Sequence, residues 1–229
     1  MFDKKICAAL ALGAALVAPV ANAADQQAGF YVGIRGGQAT ADIDQDELDL
    51  IVDDAFFFAG TPVVAGESSL EDSDTTWAFF AGFHLNEYLA LEASYTNLGT
   101  SEYRAEGLID VPGPGFGEAN MGIDFEARGI ATNLIARVPL GESFDLHGTV
   151  GLFFSETEIT LRGSSSGFRM TERVSGKDQD LFYGVGLGWR VSESMSLSVD
   201  YHLYKDVGSE DDTGETDITA LTLGAAFHF

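Results

Sequence analysis

The sequence predicts an all-β protein: a transmembrane, eight-stranded, antiparallel up-and-down β-barrel with short periplasmic turns and long extracellular loops. Three observations lead there. First, the end of the chain alternates strictly. Leu221, Leu223, Ala225, Phe227 and Phe229 share one face of an extended segment, and Ala220, Thr222, Gly224, Ala226 and His228 share the other. Successive strand side chains point to opposite faces, so one side is apolar and the other small or polar. That suits lipid outside and a filled interior. Second, tight polar turns at 86–88, 139–143 and 192–194 alternate with long links near 41–74, 102–122, 162–178 and 206–216. Short connections on one side and long ones on the other belong to a barrel threaded through an outer membrane. Third, Phe30, Tyr88, Phe144, Trp189 and Phe229 collect near the short-turn ends, while Tyr95 and Phe154 approach the other ends. Aromatic girdles mark the two interfaces in this way.

Each predicted strand repeats the alternation. Segment 29–40 sets Phe30, Val32 and Ile34 against Tyr31, Gly33 and Arg35. Segment 75–85 points Trp77, Phe79, Ala81 and Phe83 outward. In 89–101, Leu89, Leu91, Ala93 and Tyr95 face out over Glu92, Ser94 and Thr96. In 123–138, Ile130, Leu134, Ala136 and Val138 lie over Asn133, Ile135 and Arg137. Segment 144–161 places Phe144, Leu146, Val150, Leu152 and Phe154 outside, with Asp145, His147 and Thr149 inside. Segment 179–191 sets Tyr183, Val185, Leu187, Trp189 and Val191 over Gly184, Gly186, Gly188 and Arg190. Segment 195–204 carries Ser198, Asp200 and His202 inward, and 217–229 is the eighth. An even strand count puts both termini on the periplasmic side.

Residues 1–23 have the pattern of a cleaved secretory signal: Lys4 and Lys5, an apolar run over 6–17, then the small residues Ala21-Asn22-Ala23. The apolar run is too short to span a bilayer, which takes about 20 residues. The remaining chain, 24–229, is a single barrel domain. The one cysteine of the sequence, Cys7, lies in the leader, so disulfide and thiolate chemistry are excluded from the mature part. The formal net charge of −24 excludes nucleic acid as a partner, since phosphate binding relies on clustered Lys and Arg. No later stretch is long and apolar enough for a transmembrane helix, and alternating barrel strands would not register in such a scan.

The inward positions include Arg35, Arg137 and Arg190 together with Glu92, Asp145 and Asp200. Buried charges need partners, so these six are expected to form a cross-lumen network. Such a network serves either as a polar core that locks the barrel or as the wall of a narrow, gated path for ions or small solutes. The inward glycines 184, 186 and 188 leave room for a path unless Phe80, Phe153 or Phe182 fills it. Ser198, Asp200 and His202 resemble a catalytic triad on paper. Residues two apart on a strand are separated by about 6.6–6.8 Å, beyond the roughly 2.6–3.2 Å contacts a triad needs. An enzyme is therefore not expected, and neither is a cofactor.

The first long link is strongly acidic. Asp42-x-Asp44-x-Asp46 has the spacing of a calcium loop and Asp53 falls at its twelfth position, but Glu47 stands where the sharp-turn Gly belongs. The competing reading is a solvated acidic loop that gathers divalent ions loosely. Phe56, Phe57 and Phe58 follow, unusually apolar for an exposed link. A sizeable exposed apolar patch marks a binding site, so they are a candidate partner surface.

The run Phe182-Tyr183-Gly184-Val185-Gly186-Leu187-Gly188-Trp189-Arg190-Val191, the short turn, and Leu197-Ser198-Val199-Asp200-Tyr201 resemble the sixth and seventh strands of the OmpA-like membrane-domain family. Leu91-Glu92-Ala93-Ser94-Tyr95 and Asn97-Leu98-Gly99 resemble its third strand. As a pattern the similarity covers essentially the whole mature chain; in residue identity it covers those patches. It implies an eight-stranded outer-membrane barrel with a structural and surface-interaction, adhesin-like role. Glu92 and Asp200 match inward acids of the family, while Ile135 and Gly188 stand where it keeps an inward Lys and a second inward Glu. The family's gating pair is therefore not carried over. The periplasmic peptidoglycan-binding domain of full-length members is expected to be absent after Phe229. Phe227 and Phe229 resemble the carboxyl-terminal assembly signal, which implies the barrel assembly machinery as a partner during insertion. Outer-membrane lipid and lipopolysaccharide then surround the barrel, and the long loops face an extracellular partner.

Overall fold

A strand exposed to lipid must have both backbone edges paired, because no water is there to satisfy them. This chain meets that demand by closing on itself. The computed structural model describes residues 29–111, 115–165, 168–209 and 212–229; the leader expected at 1–23 lies outside them. The elements are β1 (Phe30–Ala41), α1 (Gln45–Phe58), β2 (Val63–Glu71), β3 (Ser73–His84), β4 (Leu89–Asp110), β5 (Phe116–Leu140), β6 (Phe144–Ser165), β7 (Phe168–Ser192), β8 (Met195–Ser209) and β9 (Gly214–His228). The strands pair antiparallel in the order β3-β1-β9-β8-β7-β6-β5-β4, and β4 returns to β3. The seam between first and last strands runs from Tyr31 opposite His228 to Ala41 opposite Ile218. Eight strands make the ring, as the alternation predicts.

The predicted facing holds around that ring. Val32, Ile34, Phe79, Leu134, Val150, Val185, Leu187 and Leu223 are exposed on the outside, while Tyr31, Phe80, Glu92, Ile135, Thr149 and Asp200 are buried inside. The outer face then changes character at one row. Tyr95, Ile130, Phe154 and Gln179 lie side by side across β4 to β7; the next outward row is Asn97, Arg128, Glu156 and Lys177. Below this line the exterior is apolar down to Phe144, Trp189 and Phe229, and Phe144 stacks on Trp189 at 6.2 Å. From Phe144 to Phe154 the strand has the roughly 9–11 residues that a tilted membrane strand needs.

Above the line the structure departs from expectation. Most of 102–122 and 162–178, expected as loops, is strand. β5 and β7 each run for 25 residues, more than twice what a bilayer uses. With water in place of lipid on the outer face, these stretches lose the strict apolar alternation that identified the rest, although Tyr103, Ile109, Ala119 and Thr157 on the inner face are buried. Cross-strand charges hold them instead: Arg104 pairs with Asp124 at 2.6 Å, Arg173 with Glu158 at 3.4 Å, Lys177 with Glu156 at 3.5 Å, and Arg162 also meets Asp124, while Arg104 reaches Glu102 of its own strand at 2.8 Å. Each such pair contributes about 0.2–1 kcal/mol, so their number matters more than any one.

The link 41–74 is also structured. β2 continues upward from β3 across Asp72 and pairs with the upper half of β4, Val63 opposite Ile109 to Glu71 opposite Glu102. A break in register between Asn97 and Thr100 lets β4 make this ascent. Gly99 takes the positive φ of 87° that the bulge requires. α1 rests against this raised sheet.

The line between lipid and water is testable. Val185→Arg, in the middle of the lipid face, is expected to destabilise the barrel by about 2–4 kcal/mol. Lys177→Leu, one row above the belt, is expected to change it by less than about 0.5 kcal/mol. Urea unfolding in liposomes measures both, and equal costs would move the boundary.

Candidate functional site

Two regions carry chemistry: the lower lumen and the raised crest. In the lumen, β1 and β4 bring Arg35 Nη2 to Glu92 Oε1 at 2.6 Å, with those side chains only 14% and 2% exposed. Tyr31 donates its hydroxyl to the other oxygen of Glu92 at 3.2 Å, and Arg35 lies over the Phe80 ring at 4.4 Å. A second group forms on β6 to β8. His147 contacts Asp200 at 2.7 Å through Nε2 and Asp145 at 3.1 Å through Nδ1. Ser198 donates to the remaining Asp200 oxygen at 2.7 Å.

The six residues expected to form one network are therefore divided. Arg35 pairs with Glu92; Asp145 and Asp200 are joined through His147. Arg137 approaches no carboxylate within ion-pair distance among the described residues and sits instead 3.2 Å from His84, which stacks on His228. Arg190 stays exposed at the periplasmic mouth, without an ion pair among the described residues. Alternation marks His147 only as an inward position, yet it is the hub. The signal was in the register: His147, Gly186 and Asp200 form one lateral row across β6, β7 and β8. A Cβ at Gly186 would run into His147 Nε2 and Asp200 Oδ1, and one at Gly188 into Asp145. Gly186 is thus the gap through which β6 and β8 bond across β7, and the space beside Gly188 is taken by Asp145.

The paper triad does not assemble. Asp200, not a histidine, stands between Ser198 and His147, so the hydroxyl faces a carboxylate and no imidazole. His202 is buried against Phe182, with ring centres 5.8 Å apart, and bonds to neither Ser198 nor Asp200.

The lumen is filled unevenly. Its extracellular half is a packed plug. Phe153 is 0% exposed, Phe182 stacks on Tyr204 at 5.0 Å, and Ala131, Val207, Ile218 and Ala220 complete the cluster. The periplasmic half is a cavity of about 690 Å³, open at the short turns and lined by Arg35, Glu92, Arg137, His147, Arg190 and Asp200 among others.

In the crest, the acidic run does not form a calcium loop. Asp44 caps α1, accepting from the Asp46 backbone N–H at 2.9 Å, and Asp46 and Glu47 occupy the first turn. Carboxylates are favoured there by the helix dipole. Asp53 lies a further turn and more along the helix, away from the cap, and no group of three metal-ligating side chains occurs among the described residues. Asp44 followed three residues later by Glu47 is a helix-start signature that the calcium spacing obscured. Val52 is buried beneath the helix. Tyr103 donates to Asp49 Oδ1 at 2.5 Å and Ser68 to Asp49 Oδ2 at 2.9 Å. Burial, then the bond to Asp49, hold the Tyr103 phenol above its ordinary pKa. Phe56 is half-buried, whereas Phe57 and Phe58 are 65% and 83% exposed.

Residues 7–229 match the family described as outer membrane protein beta-barrel domain; the chain belongs to that family and is an outer membrane protein. It is 23% identical over 227 residues to outer membrane protein A of Serratia marcescens, covering 99% of this chain and 56% of that one. It is also 23% identical over 151 residues to outer membrane protein A of Klebsiella pneumoniae, covering 66% and 40%. The chain thus spans about half the length of the curated relatives it matches. Among solved structures, Neisserial surface protein A superposes with a TM-score of 0.50 at 14% identity, over 89% of this chain and 100% of that one. This likeness concerns the fold.

The buried pair gives a second prediction. Glu92→Ala leaves Arg35 charged and unpartnered inside the barrel and is expected to cost about 3–5 kcal/mol. Adding Arg35→Met should recover most of that loss. Unfolding midpoints of the single and double variants check it, and failure of the second change to rescue would contradict the pairing.

Proposed function

We propose that this outer-membrane barrel is a structural anchor with an adhesin-like surface role. The lower lumen locks the barrel, and the raised crest meets an extracellular partner. The observation that carries this reading is the division of the molecule at the upper girdle. Below it the lumen is blocked by Phe153, Phe182 and Tyr204. Above it β4 to β7 continue far beyond what a bilayer needs and present α1 to the outside. A scaffold built only to span the membrane has no use for that height. In this reading the role is non-catalytic: Ser198, the one hydroxyl of the paper triad, meets Asp200 and no imidazole. Phe227 and Phe229, packed with ring centres 5.2 Å apart on the lipid face, serve as the signal for the barrel assembly machinery. The belt contacts lipid, with lipopolysaccharide in the outer leaflet.

A second reading, a narrow channel for ions or small solutes, is favoured by the 690 Å³ periplasmic cavity with its charged wall. Conduction would require the aromatic plug to leave, since an apolar constriction excludes ions by dewetting.

One pair of measurements separates the readings. Planar-bilayer recording of the refolded chain is expected to give no unitary steps, whereas a Phe153→Ala, Phe182→Ala variant opens the plug. Adherence of a non-adherent strain displaying the chain is expected to fall when α1 is replaced by a Gly/Ser linker. Stable steps in the unaltered protein, with adherence independent of α1, would favour the channel.

A further inference from the structure

The crest has a face that the barrel leaves unused. α1 turns Leu48, Val52 and Phe56 toward the sheet and carries Leu50, Ile51, Phe57 and Phe58 on the opposite side, all four exposed. With 3.6 residues per turn these four fall in one stripe, and Glu47 and Asp54 lie inside it. An apolar stripe held out in water tends to mark a partner surface. Beside it, between α1 and the sheet, is a slot of about 160 Å³ walled by Val52, Phe56, Val63, Ile109, Ala119 and Met121. Small-molecule sites usually occupy about 300–1,000 Å³, so this slot is too small for one and is of the order of a single apolar side chain. Asp49 and Asp53 of α1 also line it, whereas Glu67 and Glu106, opposite one another on β2 and β4, alternate with the α1-facing Ser68 and Ala105 and so carry their carboxylates to the other face of the sheet.

The charge around this face is one-sided. Not one Lys or Arg occurs between Arg35 and Arg104. The crest's ion pairs lie on β4 to β7, and none engages Asp46, Glu47, Asp53, Asp54, Glu67 or Glu106 among the described residues. Apolar anchors ringed by uncompensated carboxylates call for a partner with the opposite pattern.

We infer that α1 and β2 together bind a cationic amphipathic polypeptide segment. One apolar side chain enters the slot, its neighbours lie along Leu50, Ile51, Phe57 and Phe58, and flanking Lys or Arg side chains meet the carboxylates. The inference rests on the surface-interaction reading above and gives that partner a chemistry. A second copy of this chain would bring the same unpaired carboxylates and be repelled. Anionic lipid headgroups meet the same repulsion.

The test uses the refolded barrel in phosphatidylcholine nanodiscs and fluorescence anisotropy of two labelled amphipathic peptides, one of Leu and Lys, the other of Leu and Glu. Empty nanodiscs set the baseline. The Leu/Lys peptide is expected to bind above that baseline, more weakly as salt rises, and the Leu/Glu peptide not to bind. Phe57→Ser with Phe58→Ser, and separately Asp53→Asn with Asp54→Asn, should each weaken binding at least tenfold. All four positions are exposed, so heat-modifiable migration on a gel should confirm that the variants still fold. Equal binding of both peptides, or unchanged binding by both variants, overturns the inference. So does self-association of the barrels through α1, or binding of anionic vesicles through it. Adherence lost with α1 while the Leu/Lys peptide fails to bind rejects the cationic chemistry alone. Adherence indifferent to α1 rejects the surface role itself.

Discussion

Lipid cannot hydrogen-bond a peptide group, and the rest of the molecule follows from that. The chain must close, closure puts every strand between two partners, and pairing assigns each side chain by parity to lipid or to lumen. A residue's chemistry is thereby decided by whether its position is odd or even on its strand. Leu187 and Gly188 are neighbours in sequence, yet one meets acyl chains and the other lies against Asp145. Within the lumen little space remains, and the polar groups placed there are matched locally. Glu92 holds Arg35 and Tyr31; His147 holds Asp145 and Asp200.

Above the girdle the constraint is lifted and the design changes. Water can satisfy an edge, so β2 can end with only β4 beside it, and the ring need not be complete. Charged pairs replace acyl-facing Leu and Val on the outside of the sheet. The inner face, no longer narrowed by closure, makes room for a helix. α1 buries Tyr103 and Ile109 and spends Asp44 and Asp49 on its own attachment, which leaves its far side to be used by something else.

The difference explains what could be read from residues alone. Alternation located all eight membrane strands and their facing, because lipid enforces it without exception over about ten residues. The same test failed for the upper halves of β4 to β7, where the outer face meets water instead of lipid and Glu102, Arg104, Asp124 and Arg162 look like loop residues. It failed again for α1, whose acids were spaced like metal ligands while acting as a cap. The lumen pairs were half legible. Parity identified which charges point inward, but partners depend on the stagger between strands, and that stagger is what sets His147 level with Gly186 and Asp200. Glycine at 186 was read as empty space. It is the opening through which two non-adjacent strands touch.

The placement of charge follows the same division. Arg35 and Glu92 neutralise one another inside, and His147 bonds both Asp145 and Asp200, where an unmatched charge is costly. The surplus that gives the chain its net charge of −24 must therefore lie where water screens it. Part of it sits on the short turns at Glu87, Glu142 and Glu193. The longest run without a compensating cation is on α1 and β2, beside the most exposed aromatic side chains of the crest. Screening at physiological salt acts over about 8 Å, so those carboxylates influence what comes close to the helix and little beyond it. A closed lumen and a short-range acidic field over an apolar stripe both favour contact at the crest over passage through the barrel.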